Sequence, residues 1–532
     1  MRTSVSERVN RNVDLLMNAF MLKGTVPSMM LKLKCTLVSG YALHNTSGNT
    51  DCLIREFGKD KIVCVCNAEH CDNLIPDITQ GKINVFTSTK KGARYSKSIY
   101  DLEDSATAEK LIVIDRTKTY QRIIGWGGAF TDSTGINVNS LPPKVGEELM
   151  RSYFAEDGSR YNLGRVPMGG TDFSTHSYSY DDGDVDEDLR NFALAPEDFQ
   201  YKIPLIKRAL KLSKGKMKFF TAAWTVPKWM KNNVGGYLKK EYYQTWVNYF
   251  LKFLRAYKQE GIDFWGLSTG NEPSLALVSF KKINTLAWNS ELASLWIREN
   301  LGPTIRNSEF ADLKLLAIDD QRLFFPGYAS KVMENISTRN YIDGFAVHWY
   351  QNFLIGPKVL TETHDKFPDK FILSTEASAG YLPLTKHVDI GAWDRGESYV
   401  KDIINDLNNW VTGWVDWNLA LNLEGGPTYV KNFVDSPILV NAEAEEFYKQ
   451  PMYYAIGHFS KFLPEHSVRI DVSSSIENVQ VVGFVTPGDS NNNHTVLVIM
   501  NKNDYSTALS VKDGTDFINF NVEARSFTTV VY

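Results

Sequence analysis

The chain has 532 residues, 43% hydrophobic and 23% charged, and 58 basic against 62 acidic side chains leave a net charge of −4. Such a composition belongs to a globular chain, not a disordered one, and the charge balance argues against a nucleic-acid partner. No apolar run approaches the ~18 residues of a spanning helix, so a transmembrane segment is excluded.

The cysteines come first along the chain. All five, Cys35, Cys52, Cys64, Cys66 and Cys71, fall within the first 71 residues. Clustering at one end suggests local staples made in an oxidising compartment. A zinc site built from Cys52, Cys64, Cys66 and Cys71 fits no common ligand spacing. Cys35 lies in a leader-like stretch, with Met30-Leu31-Lys32-Leu33-Lys34 before a weakly apolar run to Leu43. Removing it would leave four cysteines and two bridges. Residues 1–50 are therefore expected to be leader or disordered, and 51–81 a small disulfide-stapled β piece. Triplets at Asn45, Asn335 and Asn493 permit glycosylation.

Short β-rich pieces follow, Ile83–Phe86 and Leu111–Ile114. From Arg122 the pattern changes to apolar runs alternating with helical periods. Eight runs read as strands: Ile123–Phe130, Asn162–Met168, Lys218–Trp224, Phe264–Thr269, Leu313–Asp319, Gly344–Tyr350, Phe371–Ala377 and Gly413–Leu421. Glu241 to Gln259 is amphipathic and stops at Gly261. Glu291 to Leu301 is expected to end at Gly302-Pro303. Strand–helix alternation repeated eight times predicts an α/β fold, a (β/α)8 TIM barrel over 122–464; a doubly wound sheet is the alternative. After Pro464 the pattern is all-β. Residues 82–121 and 465–532 are expected to share one β-sandwich, built from both flanks.

Barrel active sites lie at the C-terminal ends of the strands. The fourth run ends in Asn271-Glu272-Pro273 and the seventh in Thr375-Glu376. Two facing carboxyls serve glycoside hydrolysis, one as acid and one as nucleophile or base. Aromatic side chains at run ends, Trp224, Tyr350 and Trp417, suit stacking on sugar faces, whereas Trp414 reads as core filling. Gly266-Leu267-Ser268-Thr269-Gly270 matches the serine-hydrolase pattern, with His348 as a conceivable base, but Ser268 lies inside an apolar run rather than at an elbow. Gly125-Trp126-Gly127-Gly128 fails the dinucleotide fingerprint. A non-catalytic glycan or lipid binder is the rival from another class; the presence of both glutamates argues against it.

Longer stretches carry a resemblance. Val63-Cys64-Val65-Cys66-Asn67, Arg165-Val166-Pro167-Met168, Asn271-Glu272-Pro273-Ser274, Asp319-Asp320-Gln321-Arg322-Leu323, Val347-His348-Trp349-Tyr350 and the run from Trp414 to Pro437 are similar to the lysosomal acid β-glucosidases (glucocerebrosidases) of glycoside hydrolase family 30. The likeness runs from about Cys52 to Tyr532. It implies a retaining β-glucosidase acting on glucosylceramide, with Glu272 as acid/base and Glu376 as nucleophile. Asp172, Trp224, Asn271, Trp417 and Asn432 would contact glucose, and Arg165, His348 and Tyr350 would orient the nucleophile. It also implies the bridges Cys52–Cys64 and Cys66–Cys71, no cofactor or metal, an anionic membrane surface and a saposin-type activator as partners, and a lysosomal or secreted location. Departures fall on the aglycone side: Ser279-Phe280-Lys281-Lys282-Ile283 follows Glu272, Ser378 stands where the vertebrate members have cysteine, and the segment between Trp229 and Tyr242 is shorter. Asn67 has lost its glycosylation triplet.

Overall fold

The computed structural model describes residues 52–232, 236–275, 284–487 and 493–532. The leader-like segment with Cys35, the Asn45 triplet and the loop Ser279–Ile283 lie outside the described residues.

Eight parallel strands close into a barrel: Gly125–Ala129, Leu163–Met168, Lys218–Ala223, Phe264–Ser268, Lys314–Gln321, Gly344–His348, Phe371–Glu376 and Val411–Asn418. They neighbour one another in chain order, and the eighth pairs with the first at Gly413↔Gly125. Each coincides with an expected run to within three residues. Closure, which period alone left open, excludes the doubly wound sheet. Leu163, Phe220, Leu316, Ala346, Leu373 and Val415 meet in one inner cluster. They fill the barrel as a packed core rather than a pore. Gly127 in the first strand shows why glycine occurs there. A Cβ would stand 2.0 Å from the Leu163 carbonyl oxygen of the neighbouring strand, so this glycine serves strand contact, not phosphate binding.

Helices cover the outside. Tyr243–Gln259 buries Trp246, Phe250, Phe253, Leu254 and Tyr257 on one face and stops at Gly261, whose φ is +78°. The helix from Ser290 differs from expectation. It widens through a π turn, Ile297–Leu301, and continues as Gly302–Arg306. Pro303 sits in the first turn of that last segment, where no amide hydrogen is required. Gly302 is held against Tyr341, whose ring a Cβ would approach to 2.2 Å. Tertiary packing, not a chain stop, explains that glycine.

Two further sheets flank the barrel. Nine strands from both ends of the described chain form one sheet, in the order 516–522, 507–513, 111–122, 468–474, 479–486, 494–501, 526–531, 83–89 and 96–100. Its two ends meet at a Glu103–Phe517 bridge. The sheet thus folds over a core of Ile83, Val85, Ile112, Ile470, Leu497, Val511, Ile518 and Val530, giving the β-sandwich. His458 ties it to the helix Pro451–Ser460, bonding Thr529 and Ser88 at 2.8 and 2.9 Å. The cysteine-bearing piece does not stand alone. Ile54–Glu56 and Ile62–Cys66 pair with Glu446–Lys449, Ile438–Asn441 and Leu421–Asn422 in a five-stranded sheet. A single hairpin buries too little to be stable by itself, so it borrows strands that follow the barrel's eighth. Disulfides join Cys52 to Cys64 and Cys66 to Cys71.

Candidate active site

The barrel mouth gathers the expected residues from six different strand ends. Arg165 is in the second strand and Asp172 follows it. Trp224 follows the third and Asn271-Glu272 the fourth. His348 ends the sixth, Glu376 ends the seventh, Trp417 is in the eighth, and Asn432 lies in the loop beyond. The fifth strand contributes Asp319, Asp320 and Gln321.

Glu376 is buried and receives two donors. Arg165 bonds and ion-pairs with Oε2, and the Tyr350 hydroxyl donates to Oε1 at 2.8 Å. Glu272 accepts at Oε1 from Gln321 Nε2 at 2.6 Å and from His348 Nδ1 at 2.9 Å. One carboxylate oxygen of each glutamate and a ring nitrogen of His348 all lie within 4.8 Å of one another. Arg165 also donates to Asn271 Oδ1 at 2.8 Å.

Below this pair sits Asp319, fully buried. It accepts from Arg165 Nη2 at 2.9 Å, His348 Nε2 at 3.0 Å, Ser268 Oγ at 2.6 Å and Thr375 Oγ1 at 2.7 Å. Burial would raise its carboxyl, but the Arg165 charge and the His348 bond outweigh that and hold it well below the usual carboxylate range. His348 goes the other way. Burial disfavours its charge, yet Glu376 and the bonds to Asp319 and Glu272 push it up to about 10. Its two ring nitrogens face carboxylate oxygens of Glu272 and Asp319, an arrangement that favours the protonated ring.

The pocket wall is aromatic and amphiphilic. Trp224 and Trp417 stack on each other with centroids 5.0 Å apart, and the Arg165 guanidinium lies 4.9 and 5.4 Å from their centres. Asn432 Nδ2 donates to Asp172 Oδ2 at 2.9 Å. Burial pushes Asp172 up to about 7; the Asn432 bond opposes this, and the Glu376 and Glu272 charges add to it. Glu376 is also raised, by burial first, with His348 and Arg165 opposing. Trp414 points elsewhere: its indole donates to Asp402 Oδ2 at 3.2 Å, on the helix Trp393–Leu407.

Several alternatives meet this geometry. Ser268 is buried within its strand, donates to Asp319 and accepts from the Gly270 amide at 3.2 Å. His348 faces Glu272 and Asp319, so Ser268 has no base and the esterase arrangement is not formed. Glu272, His348 and Glu376 are spaced for a metal ion, but both ring nitrogens of His348 are taken up by carboxylate oxygens, Nδ1 by Glu272 and Nε2 by Asp319. The cysteines grouped with Asp72 are bridged, so they offer no thiolate.

Asp319, Gln321 and Thr375 were not singled out from the sequence. The signal was available for the first. Asp319 closes the fifth apolar run, the same criterion that picked out Glu272 and Glu376. The serine-hydrolase pattern around Ser268, set aside on its place inside an apolar run, carries no information on what the hydroxyl faces.

Comparison with known proteins agrees with the geometry. The glycosyl hydrolase family 30 TIM-barrel domain matches residues 123–463, and the family's beta sandwich domain matches 466–530. "Putative glucosylceramidase 4" of Caenorhabditis elegans is 40% identical over 95% of this chain and its own full length. "Lysosomal acid glucosylceramidase" of Mus musculus is 41% identical over 88% of this chain and 92% of its own. Among solved structures, SrfJ from Salmonella typhimurium superposes with a TM-score of 0.78 at 26% identity, over 85% of this chain and 99% of its own. The chain belongs to glycoside hydrolase family 30 and is a glycoside hydrolase.

Proposed function

We propose that the enzyme is a retaining β-glucosidase that cleaves glucosylceramide by double displacement. The observation that carries this is the spacing of the two carboxyls, with one oxygen of each within 4.8 Å. Retaining enzymes hold their pair ~5–5.5 Å apart, whereas inverting ones leave ~6.5–9.5 Å for a water. The partners then divide the roles. Glu376, held by the donors Arg165 and Tyr350, is favoured as the ionised nucleophile that attacks the anomeric carbon. Glu272 has both donors on Oε1, so its other oxygen carries the proton to the leaving group. Glu272, ionised after that transfer, then takes a proton from the water that hydrolyses the glucosyl ester. Asp172, Asn432, Asn271, Trp224 and Trp417 bind the sugar.

The ceramide aglycone rests on the 40–41% identity to glucosylceramidases. The mouse relative's name supports a lysosomal location and, with it, catabolism of a sphingolipid; an anionic membrane surface and a saposin-type activator belong to the same proposal. No helix among the described residues is long and apolar enough to cross a membrane.

The test is peptide mapping after exposure to a β-glucose-configured cyclitol epoxide at mildly acidic pH. The expected label is on Glu376, and it persists in Ser268→Ala. No label on the folded protein moves the non-catalytic binder to first place; loss of hydrolysis in Ser268→Ala with Glu376→Gln still active restores the esterase.

A further inference from the structure

We propose that Asp319 is a positioning residue for the reaction, a buried counter-ion that fixes Arg165 and His348 on the two glutamates. This rests on the assignment of Glu272 and Glu376 above and extends it to a residue whose side chain bonds neither of their carboxyls.

The pairing of the fifth and sixth strands shifts register between Ile318 and Asp320. Ile318 has φ +81° and Asp319 φ +48°. A β-branched residue in the left-handed region is a genuine outlier, and such strain persists only where the surroundings over-determine it. A bulge beside an active site re-aims a side chain. Here Asp319 is turned to the barrel interior. Its carboxylate collects donors from the second strand (Arg165), the fourth (Ser268), the sixth (His348) and the seventh (Thr375). Glu272 is strained as well, with φ +41° before a proline, and its amide donates to the Asp319 carbonyl at 2.9 Å. Side chain and main chain of one residue therefore place both reacting carboxyls.

The charges support the same role. His348 faces Glu272 from the loop after the fourth strand, Asp319 and Asp320 from the fifth, Glu376 from the seventh and Tyr350 two residues on. Arg165 shares the Asp319 carboxylate with it. In mild acid, where burial keeps Asp320 protonated, and with Glu272 as the acid and Glu376 ionised, Arg165 and His348 balance Asp319 and Glu376. Without Asp319 an uncompensated positive charge would remain, and His348 is the group that can lose a proton.

The test is Asp319→Asn, a near-isosteric change, studied with an aryl β-glucoside and with the cyclitol epoxide. Turnover is expected to fall about 10²-fold with little change in KM, since misplacement rather than lost sugar contact is the defect. A new ionisation between about pH 5 and 8 is expected in the pH profile, from a His348 that titrates again. That limb should vanish in the Asp319→Asn, His348→Gln double variant, which a merely structural role would not predict. Turnover within twofold of wild type and an unchanged profile would overturn the inference. So would Glu376 labelling at the wild-type rate. Wild type labelled on a residue other than Glu376 would instead overturn the underlying reading, and the inference with it. Should Asp319→Asn not fold, nitrogen-15 histidine spectra of wild type decide. Both ring nitrogens of His348 protonated at pH 7 is the expected result, and a neutral ring sinks the proposal.

Discussion

Two clusters of buried charge sit in the same barrel and differ in one respect. Around Lys202 the ammonium meets the Pro167 and Gly169 carbonyls and the Tyr178 hydroxyl at 3.1–3.2 Å, with Asp132 and Asp198 at 3.5 and 3.4 Å. Asp198 also accepts from Tyr180 and Tyr257, and Asp132 from Ser174. At the mouth, by contrast, Arg165 Nε and Gln321 Oε1 are buried with no partner, and the backbone at Glu272, Ile318 and Asp319 is left-handed. Both clusters bear the desolvation of ions. Only the second leaves hydrogen-bonding capacity unused and backbone strain unrelieved. Buried charge alone does not mark a site; incomplete satisfaction beside strain does.

The comparison breaks most sharply under substitution. Glu376→Gln should lower turnover by about 10³-fold or more while the melting temperature stays near wild type, read by steady-state kinetics and calorimetry. Lys202→Met should do the reverse. It strands Asp132 and Asp198, at a cost of about 3–5 kcal/mol in stability, yet the folded fraction should still take the epoxide on Glu376. If Lys202→Met abolished labelling in protein that remains folded, the sealed cluster would be part of the site after all.

The smaller effect is in pH. Burial pushes Asp172, Asp320 and Asp406 up to about 7, above the ordinary value they take in the unfolded chain. Between those limits the folded state binds more protons, so stability is greatest in mild acid and declines as pH rises through about 7. Asp319, held low by Arg165 and His348 against its burial, has the opposite sign: its contribution is present above the ordinary carboxylate value and is lost as pH falls from there toward its own lower one. Melting temperature should be higher at pH 5 than at pH 8, and Asp172→Asn should narrow the gap. A melting temperature that rises from pH 5 to 8 would contradict these assignments.

The strand ends explain why so much was legible before the fold was known. A barrel strand is a short apolar run, and its last residues must face the mouth, so Glu272, His348 and Glu376 could be placed together from position, whereas Arg165, inside its run, came only with the family resemblance. The flanking β segments were legible for the same local reason, as were the amphipathic helix before Gly261 and the core role of Trp414. Ser268 shows the limit. Its motif was local, but its partner, Asp319, lies 51 residues away.

What the sequence by itself determined is the period of each segment, the residue types at each strand end and the four cysteines that staple the described N-terminal piece, because these depend on neighbours a few positions apart. Only the tertiary structure decided that the sheet closes, that Gly302 packs on Tyr341 instead of ending a helix, and that the first two strands join strands 421–449. It also decided that one bulge turns Asp319 onto the barrel axis. A register shift of a single residue moves a side chain from one face of a sheet to the other. Which charges meet across the barrel is therefore set by closure and register, and neither is written in any one stretch of the chain.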